Sequence, residues 1–266
     1  MKLAATAIIA ALALTACSSS EPASDTDGPQ HRDVPGLVAA VRKSVQDKGS
    51  YRFTIDPPLA GTSGRSPASG SVRVGGEVPA MDATTKRPVQ TDGDAVELRL
   101  VSTTKDTAFV RLPADVFGLP ADRPWVKLDR EVDDEFTTTV LGFHDIVYQQ
   151  AVFTTYHLPV IEAGGEIKLT TQAGGSTRYS IAVDYQKAYD TLKDEALRAE
   201  IKLALDQKVP GTTAEVELDG GGLPTRIGFY TEFQGQRIVD LTRFSDWGSP
   251  VTITEPNPAE ISPRGP

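Results

Sequence analysis

The sequence predicts an α+β fold: one large, curved antiparallel β-sheet, a half-barrel, with about three helices on its concave face. Short segments of alternating apolar and polar side chains recur along the chain, as in Glu97-Leu-Arg-Leu100, Trp125-Val-Lys-Leu128 and Glu215-Val-Glu-Leu218. That is the period-2 signature of strands with one wet face. Three other stretches place their apolar residues three or four apart, the spacing of helices. About ten strands in one twisted sheet curl, which leaves a concave apolar side for the helices to cover.

The elements follow in order. Asp33 is a helix N-cap, Pro35 falls in the first turn, Leu37, Val38, Val41 and Val45 form a stripe, and Gly49 is the stop, so a helix covers 34–48. Strands are expected at 51–55, 71–74, 95–102, 107–112 and 125–128, separated by Gly- and Pro-rich pieces. Between 133 and 162 the period changes. Phe136, Val140, Phe143, Val147 and Ala151 form one stripe, and Tyr148, Val152 and Tyr156 a second. This is one long helix or two joined helices, ending near Pro159 and Gly164-Gly165. Strands return at 166–170 and 178–184. A third helix is expected over 186–208, with Tyr189, Leu192, Ala196, Ala199 and Leu203 as its apolar stripe and Pro210-Gly211 as its end. Segments 215–218 and 225–231 pair around Asp219-Gly-Gly-Gly222, a hairpin signal. The last strands are 237–244 and 250–254.

Composition narrows the function. The chain has 266 residues, 24% of them charged, with a net charge of -9, one Cys and three His. A broad basic face for nucleic acid is unexpected at that charge. One Cys excludes an internal disulfide framework and a multi-cysteine zinc site. No cofactor is expected.

The N-terminus carries its own signal. Lys2 is followed by an apolar run from Leu3 to Leu14, too short for a permanent membrane span but of signal-peptide length. It ends in Leu14-Thr15-Ala16-Cys17, which resembles a bacterial lipobox. The resemblance implies that residues 1–16 are a lipoprotein signal peptide. Cys17 would then be acylated and hold the protein at the extracytoplasmic face of the cell membrane. Ser18 to Arg32 contain no large apolar side chain and read as a flexible tether. A single domain is expected over 33–254, and a disordered tail over 255–266.

The inward side of the sheet supplies the candidate site. Its residues would be Val72, Val74, Leu98, Leu100, Val110, Leu112, Val126, Leu128, Ile167, Leu169, Ile181, Val183, Val216, Leu218, Ile227 and Phe229. Phe136, Val140, Phe143 and Val147 of the long helical region would face them as a gate, with Gly142 allowing local bending. These side chains would either line a lipid cavity or fill an ordinary core.

Chemistry-bearing motifs are absent: no G-x-S-x-G, P-loop, H-E-x-x-H or G-x-G-x-x-G occurs. No catalytic residue or metal site is therefore expected. His144 reads as a helix His, His157 as a dipole-favoured cation near a helix end, and Asp133-Asp134-Glu135 as helix capping. Asp92-Gly-Asp94 and Gly220 to Gly222 read as turns, and Trp125 and Trp247 as core-edge residues.

The order of elements resembles the actinobacterial LppX/LprAFG-type lipoproteins, within the LolA-like half-barrel group. Local echoes are Pro124-Trp-Val-Lys-Leu-Asp129, Arg178-Tyr-Ser-Ile-Ala-Val-Asp184, Gly222-Leu-Pro-Thr-Arg-Ile227 and Phe244-Ser-Asp-Trp-Gly-Ser-Pro-Val251. The resemblance implies an acyl chain or glycolipid held between sheet and helices, in some members for transport across the envelope. No lipid-contacting motif transfers residue by residue. The expectation is a membrane-anchored lipoprotein that binds or carries an amphiphile. The alternative is an envelope interaction or sensing module with a filled core, its protein partner unknown. A hydrolase is the least supported reading. An apolar cavity of roughly 300–1,000 Å³ favours the carrier, and a dry core favours the module.

Overall fold

Helix α1 (Val34–Lys48) begins where the sequence places it. The Asp33 side chain accepts from the Gly36 amide at 2.7 Å, and Gly49, at φ 73°, ends the helix. The computed structural model describes residues 30–56, 66–76, 78–88, 95–104, 107–132 and 134–263. Cys17, the signal peptide, most of the tether, the Asp92-Gly-Asp94 turn and Asp133 lie outside the described residues. The last part of the expected tether is docked: the His31 amide donates to the Tyr179 hydroxyl at 2.9 Å.

From α1 the chain runs outward through β1 (Ser50–Ile55), β2 (Ala68–Arg73), β3 (Ala80–Pro88), β4 (Ala95–Ser102) and β5 (Thr107–Arg111). The short α2 (Ala114–Phe117) precedes the edge strand β6 (Trp125–Asp129). Helices α3 (Glu135–Ala151) and α4 (His157–Gly164) then carry the chain to the opposite edge. There β7 (Gly165–Ala173) and β8 (Ser176–Asp184) lead to α5 (Tyr185–Thr191) and α6 (Glu195–Asp206). Strands β9 (Gly211–Leu218), β10 (Pro224–Phe233) and β11 (Gln236–Ser245) close inward onto β1. The result is one open, curved, antiparallel sheet of eleven strands, ordered β6-β5-β4-β3-β2-β1-β11-β10-β9-β8-β7. Among the described residues, each paired strand neighbours its partner in the order of strands along the chain except at the β1–β11 seam, where Phe53 faces Phe244. The half-barrel class is as expected.

Alternation places the inward side chains under the helices. Val72, Leu98, Leu100, Val110, Leu112, Val126, Leu128, Ile181, Val183, Val216, Leu218 and Ile227 are all buried in one core with the apolar stripes of α1, α3 and α4. Val74, Phe136, Val140, Ile167 and Phe229 pack against it, partly buried. The Arg42–Glu162 ion pair, at 2.6 Å, joins α1 to α4 on the outside.

Several expectations are corrected. Leu169 is 58% exposed. The β7–β8 register slips between Ile167 and Leu169, so Lys168 is an extra residue and Leu169 turns to the other face. β3 lies where no strand is expected: its inward positions are Met81, Ala83 and Thr85, and one large apolar side chain beside a small and a polar one makes no stripe. The expected third helix is two. Asp194 accepts from the Leu197 amide at 3.0 Å and starts α6 afresh, which resets the helical phase. Leu197 and Ile201 are buried in consequence, whereas Ala196, Ala199 and Leu203 are exposed.

Segment 250–254 is not a strand. Val251 and Ile253 pack with Ala80, Val101, Phe109 and Trp125 in a small second core on the outer face of the sheet. The expected disordered tail continues this strap as far as the described residues go. Ile261 bridges to Trp125, and the Ser262 amide donates to the Trp125 carbonyl at 2.7 Å, so part of the β6 edge is paired. Among the described residues no helix is long and apolar enough to cross a membrane.

Candidate functional site

Helices α3, α4 and α6 meet the concave face of β9, β10 and β11 incompletely, leaving a cleft of about 330 Å³. Its apolar wall comes from Ile146, Val160, Ile201, Ala204, Val209, Phe229, Phe233 and Ile238. Its polar groups are Gln149, Gln150, Tyr156, His157, Tyr185, Gln207, Thr212, Thr231 and Asp240. The sheet side follows from the alternation of β10, which brings Phe229, Thr231 and Phe233 to one face. The helix side uses the edge of α3 next to its core stripe.

Of the residues expected to form the cavity, Phe229 lines this cleft. The rest form the packed core described above, apart from the exposed Leu169. The expected gate is also filled: Phe143 is 5% and Val147 2% exposed. The gap opens one helical face further round, at Ile146, Gln149 and Gln150, which lie outside both expected stripes. Phe143→Trp is therefore expected to overpack the core and cost about 1–3 kcal/mol. An unchanged melting temperature in a thermal scan would mean the site has spare volume.

Polar contacts organise the cleft. Thr212 Oγ1 lies 2.9 Å from Thr231 Oγ1 and 3.1 Å from the Tyr230 carbonyl, to which it donates. Gln149 Nε2 donates to the Glu200 carboxylate at 3.2 Å, linking α3 to α6. Desolvation, with Asp145 and Asp194 nearby, pushes the Glu200 carboxyl above its ordinary value, although Tyr156 and Gln149 donate to it. The His157 ring lies 4.3 Å from that of Phe229. His157 opens α4, where the helix dipole opposes a cation, so its expected dipole-favoured role is corrected. Gln150 is 6% exposed, and among the described residues its amide oxygen has no hydrogen-bond partner.

The other tempting groups have structural roles. Asp134 caps α3 through the Thr137 amide at 2.8 Å, and its carboxyl is held down by that bond. Trp247 Nε1 donates to the Pro224 carbonyl at 3.1 Å. Asp219 accepts from the amides of Gly221 and Leu223, each at 2.9 Å, and sets the hairpin turn. His144 is buried, with Nδ1 3.1 Å from Asp145 Oδ1, while Arg130 grips the same carboxylate through two nitrogens. Among the described residues no group of three or more His, Cys, Asp or Glu is placed to hold a metal.

Asp145 makes a pH prediction. Burial opposes its charge, but hydrogen bonds from His144 and Arg130 outweigh that and hold its carboxyl down at about 2. A folded value below the ordinary one means the contribution is present above about pH 4 and lost as the pH falls through about 2. Asp145→Asn is expected to flatten the melting-temperature profile between those limits. An identical acid limb in both proteins would refute the assignment.

A second, polar cavity of about 530 Å³ lies on the outer face, beneath the strap. Arg99, Arg111, Asp122, Glu255, Asn257 and Glu260 line it, with Arg99 stacked 5.7 Å over Trp125 and paired with Asp82 at 2.6 Å.

No protein-family model matches the chain, and none of the curated proteins matches it. Among solved structures, the chain is similar to LprF from Mycobacterium bovis, at 14% identity and a TM-score of 0.44, over 84% of this chain and 97% of that one. It is also similar to lipoprotein LppX from Mycobacterium tuberculosis, at 14% identity and a TM-score of 0.44, over 83% of this chain and 99% of that one.

Proposed function

We propose that this protein is a lipid-anchored envelope protein that binds a small amphiphile in the cleft between α3, α4, α6 and β9–β11. The observation that carries the reading is the mixed lining of that cleft: an apolar wall around Phe229, Ile201 and Val160, with Gln150, Gln207 and Asp240 among them. Small-molecule sites commonly have this make-up, an apolar surface with a few placed polar groups. At about 330 Å³ it is near the lower end of the usual range, which suits one acyl chain better than several. Binding is non-covalent, and the protein is not an enzyme in this reading. Acylated Cys17 supplies the membrane anchor.

Ala204 lines the cleft and is only partly buried. Ala204→Trp is expected to block the space at less than the roughly 1–3 kcal/mol that overpacking a filled core costs, and to reduce loading of a fluorescent acyl probe at least about tenfold. Equal loading of variant and wild type would remove the cleft as the site. The dense core on the β4–β6 half of the sheet, away from the cleft, where Leu100, Val110 and Leu128 are fully buried, favours a second reading: an interaction module with no lipid ligand. Failure of the wild type to load any acyl probe selects that reading.

A further inference from the structure

We infer that the outer face of β4–β6 is a docking groove for an extended acidic segment of a partner protein, and that the strap 250–262 occupies it in cis. The inference is independent of the cleft between helices and sheet.

The seat comes first. Val101, Phe109 and Trp125 stand on the outward side of β4, β5 and β6, the side that is ordinarily polar in a sheet with one wet face. Val251, Ile253 and Ile261 of the strap pack on them and leave them buried. An extended chain that sets side chains two apart into such a row is the pattern by which grooves read peptides.

The hold on the strap is the second observation. Among the described residues, the backbone of 250–256 makes no backbone hydrogen bond to the sheet. Pro250, Pro256 and Pro258 have no amide to offer. Pairing with β6 is one parallel bridge, Ile261 with Trp125, and the bond from the Ser262 amide to the Trp125 carbonyl. Pro263 comes next and cannot continue a ladder. The stretch 126–129 of β6 therefore keeps an edge that no strand covers among the described residues.

Charge gives the partner its character. Arg99 and Arg111 stand directly opposite each other on β4 and β5, an unfavourable pairing of like charges. Asp82 grips Arg99 through two nitrogens. The Arg111 side chain has no hydrogen bond or ion pair among the described residues, and it lines the polar cavity of about 530 Å³ beneath the strap. The wall supplies one carboxylate there, Asp122. The strap supplies Glu255 and Glu260 and no cation, and Glu255 accepts from Thr103 at 2.7 Å. The strap thus has the charge that suits the groove, yet reaches neither Arg111 nor the rest of the β6 edge. A partner segment with a carboxylate in reach of Arg111, and no proline beside β6, gains both contacts.

The test uses the full chain and a labelled peptide of the strap's own sequence, residues 250–262, read by fluorescence anisotropy. In the wild type the strap competes from within the chain at an effective concentration of about millimolar. The Ile253→Ser/Ile261→Ser double variant loosens the strap and leaves the seat unaltered. It is expected to bind the peptide at least about tenfold more tightly than the wild type. A peptide that itself carries Ile253→Ser should bind at least about tenfold more weakly. Arg111→Glu in the loosened chain should weaken the peptide about 2–5-fold, and added salt should narrow that difference. Hydrogen exchange on the wild type decides the matter if the double variant does not fold. The Ser262 amide should exchange at least about tenfold faster than the paired amides of β4 and β5. Equal protection, or peptide binding no tighter in the loosened chain, overturns the inference. A wild-type dimer that the double variant cannot form assigns the seat to a second copy's strap and overturns the partner assignment.

Discussion

Phe153→Ala is expected to lower the unfolding free energy by about 3–5 kcal/mol. Phe153 is fully buried in the turn between α3 and α4. Its ring lies 4.7 Å from that of Phe244 and 6.1 Å from that of Tyr51, which in turn packs 4.7 Å from Trp247. The Tyr51 hydroxyl donates to the Ala151 carbonyl at 2.8 Å, so the same cluster fixes the end of α3. β1 and β11 meet here, and among the named strands of the described residues theirs is the pairing that joins distant parts of the chain. A cavity at this point loosens the seam and the helical crossover together. The loss is a large share of a typical stability of about 5–15 kcal/mol. In a protein of this size it shifts the melting temperature by on the order of 10 °C. Denaturant titration measures it, and a cost below about 1 kcal/mol would show that the turn is not part of the cooperative core.

Gly164→Ala is expected to be nearly as damaging, at about 3 kcal/mol. A Cβ at Gly164 would run into the backbone carbonyl of Asp184 and sit 3.0 Å from Ala188 Cβ. Asp184 is the N-cap of α5, accepting from the Lys187 amide at 2.9 Å, so the chain cannot yield without moving that cap. Overpacking against backbone falls at the upper end of the usual 1–3 kcal/mol range. Gly142→Ala is the control. Gly142 is exposed in the middle of α3, and a Cβ there meets nothing within 4 Å. That variant should gain about 0.5–1 kcal/mol, from helix propensity alone. Opposite signs at two helical glycines, read by the same urea titration, test the packing. Equal effects would contradict it.

Much of the fold was legible because its signals are local. Asp33 and Gly49 bound α1, Asp219 and the glycines after it mark the β9–β10 hairpin, and alternation gives the inward face of β4, β5, β6, β8 and β9. β3 was not legible, since Met81, Ala83 and Thr85 make no stripe. The bulge at Lys168 was not legible either, and it alone moved Leu169 from the core to solvent. The break at Leu192–Asp194 shows how one cap, competing with a continuous helix, shifts the buried residues of α6 to Leu197 and Ile201.

The candidate site divides along the same line. Apart from Leu169, sequence alone determined which strand side chains turn toward the helices, because period and burial follow from local geometry and hydrophobicity. It also determined that the apolar set is large enough to form a core. Whether that core holds a gap was decided by tertiary structure. The cleft exists because α3, α4 and α6 do not fully cover β9–β11. Its lining joins residues as far apart as Ile146 and Asp240, a juxtaposition that no single element's periodicity contains. Packing density and void space depend on how whole elements fit together, so they become definite only once the chain is folded.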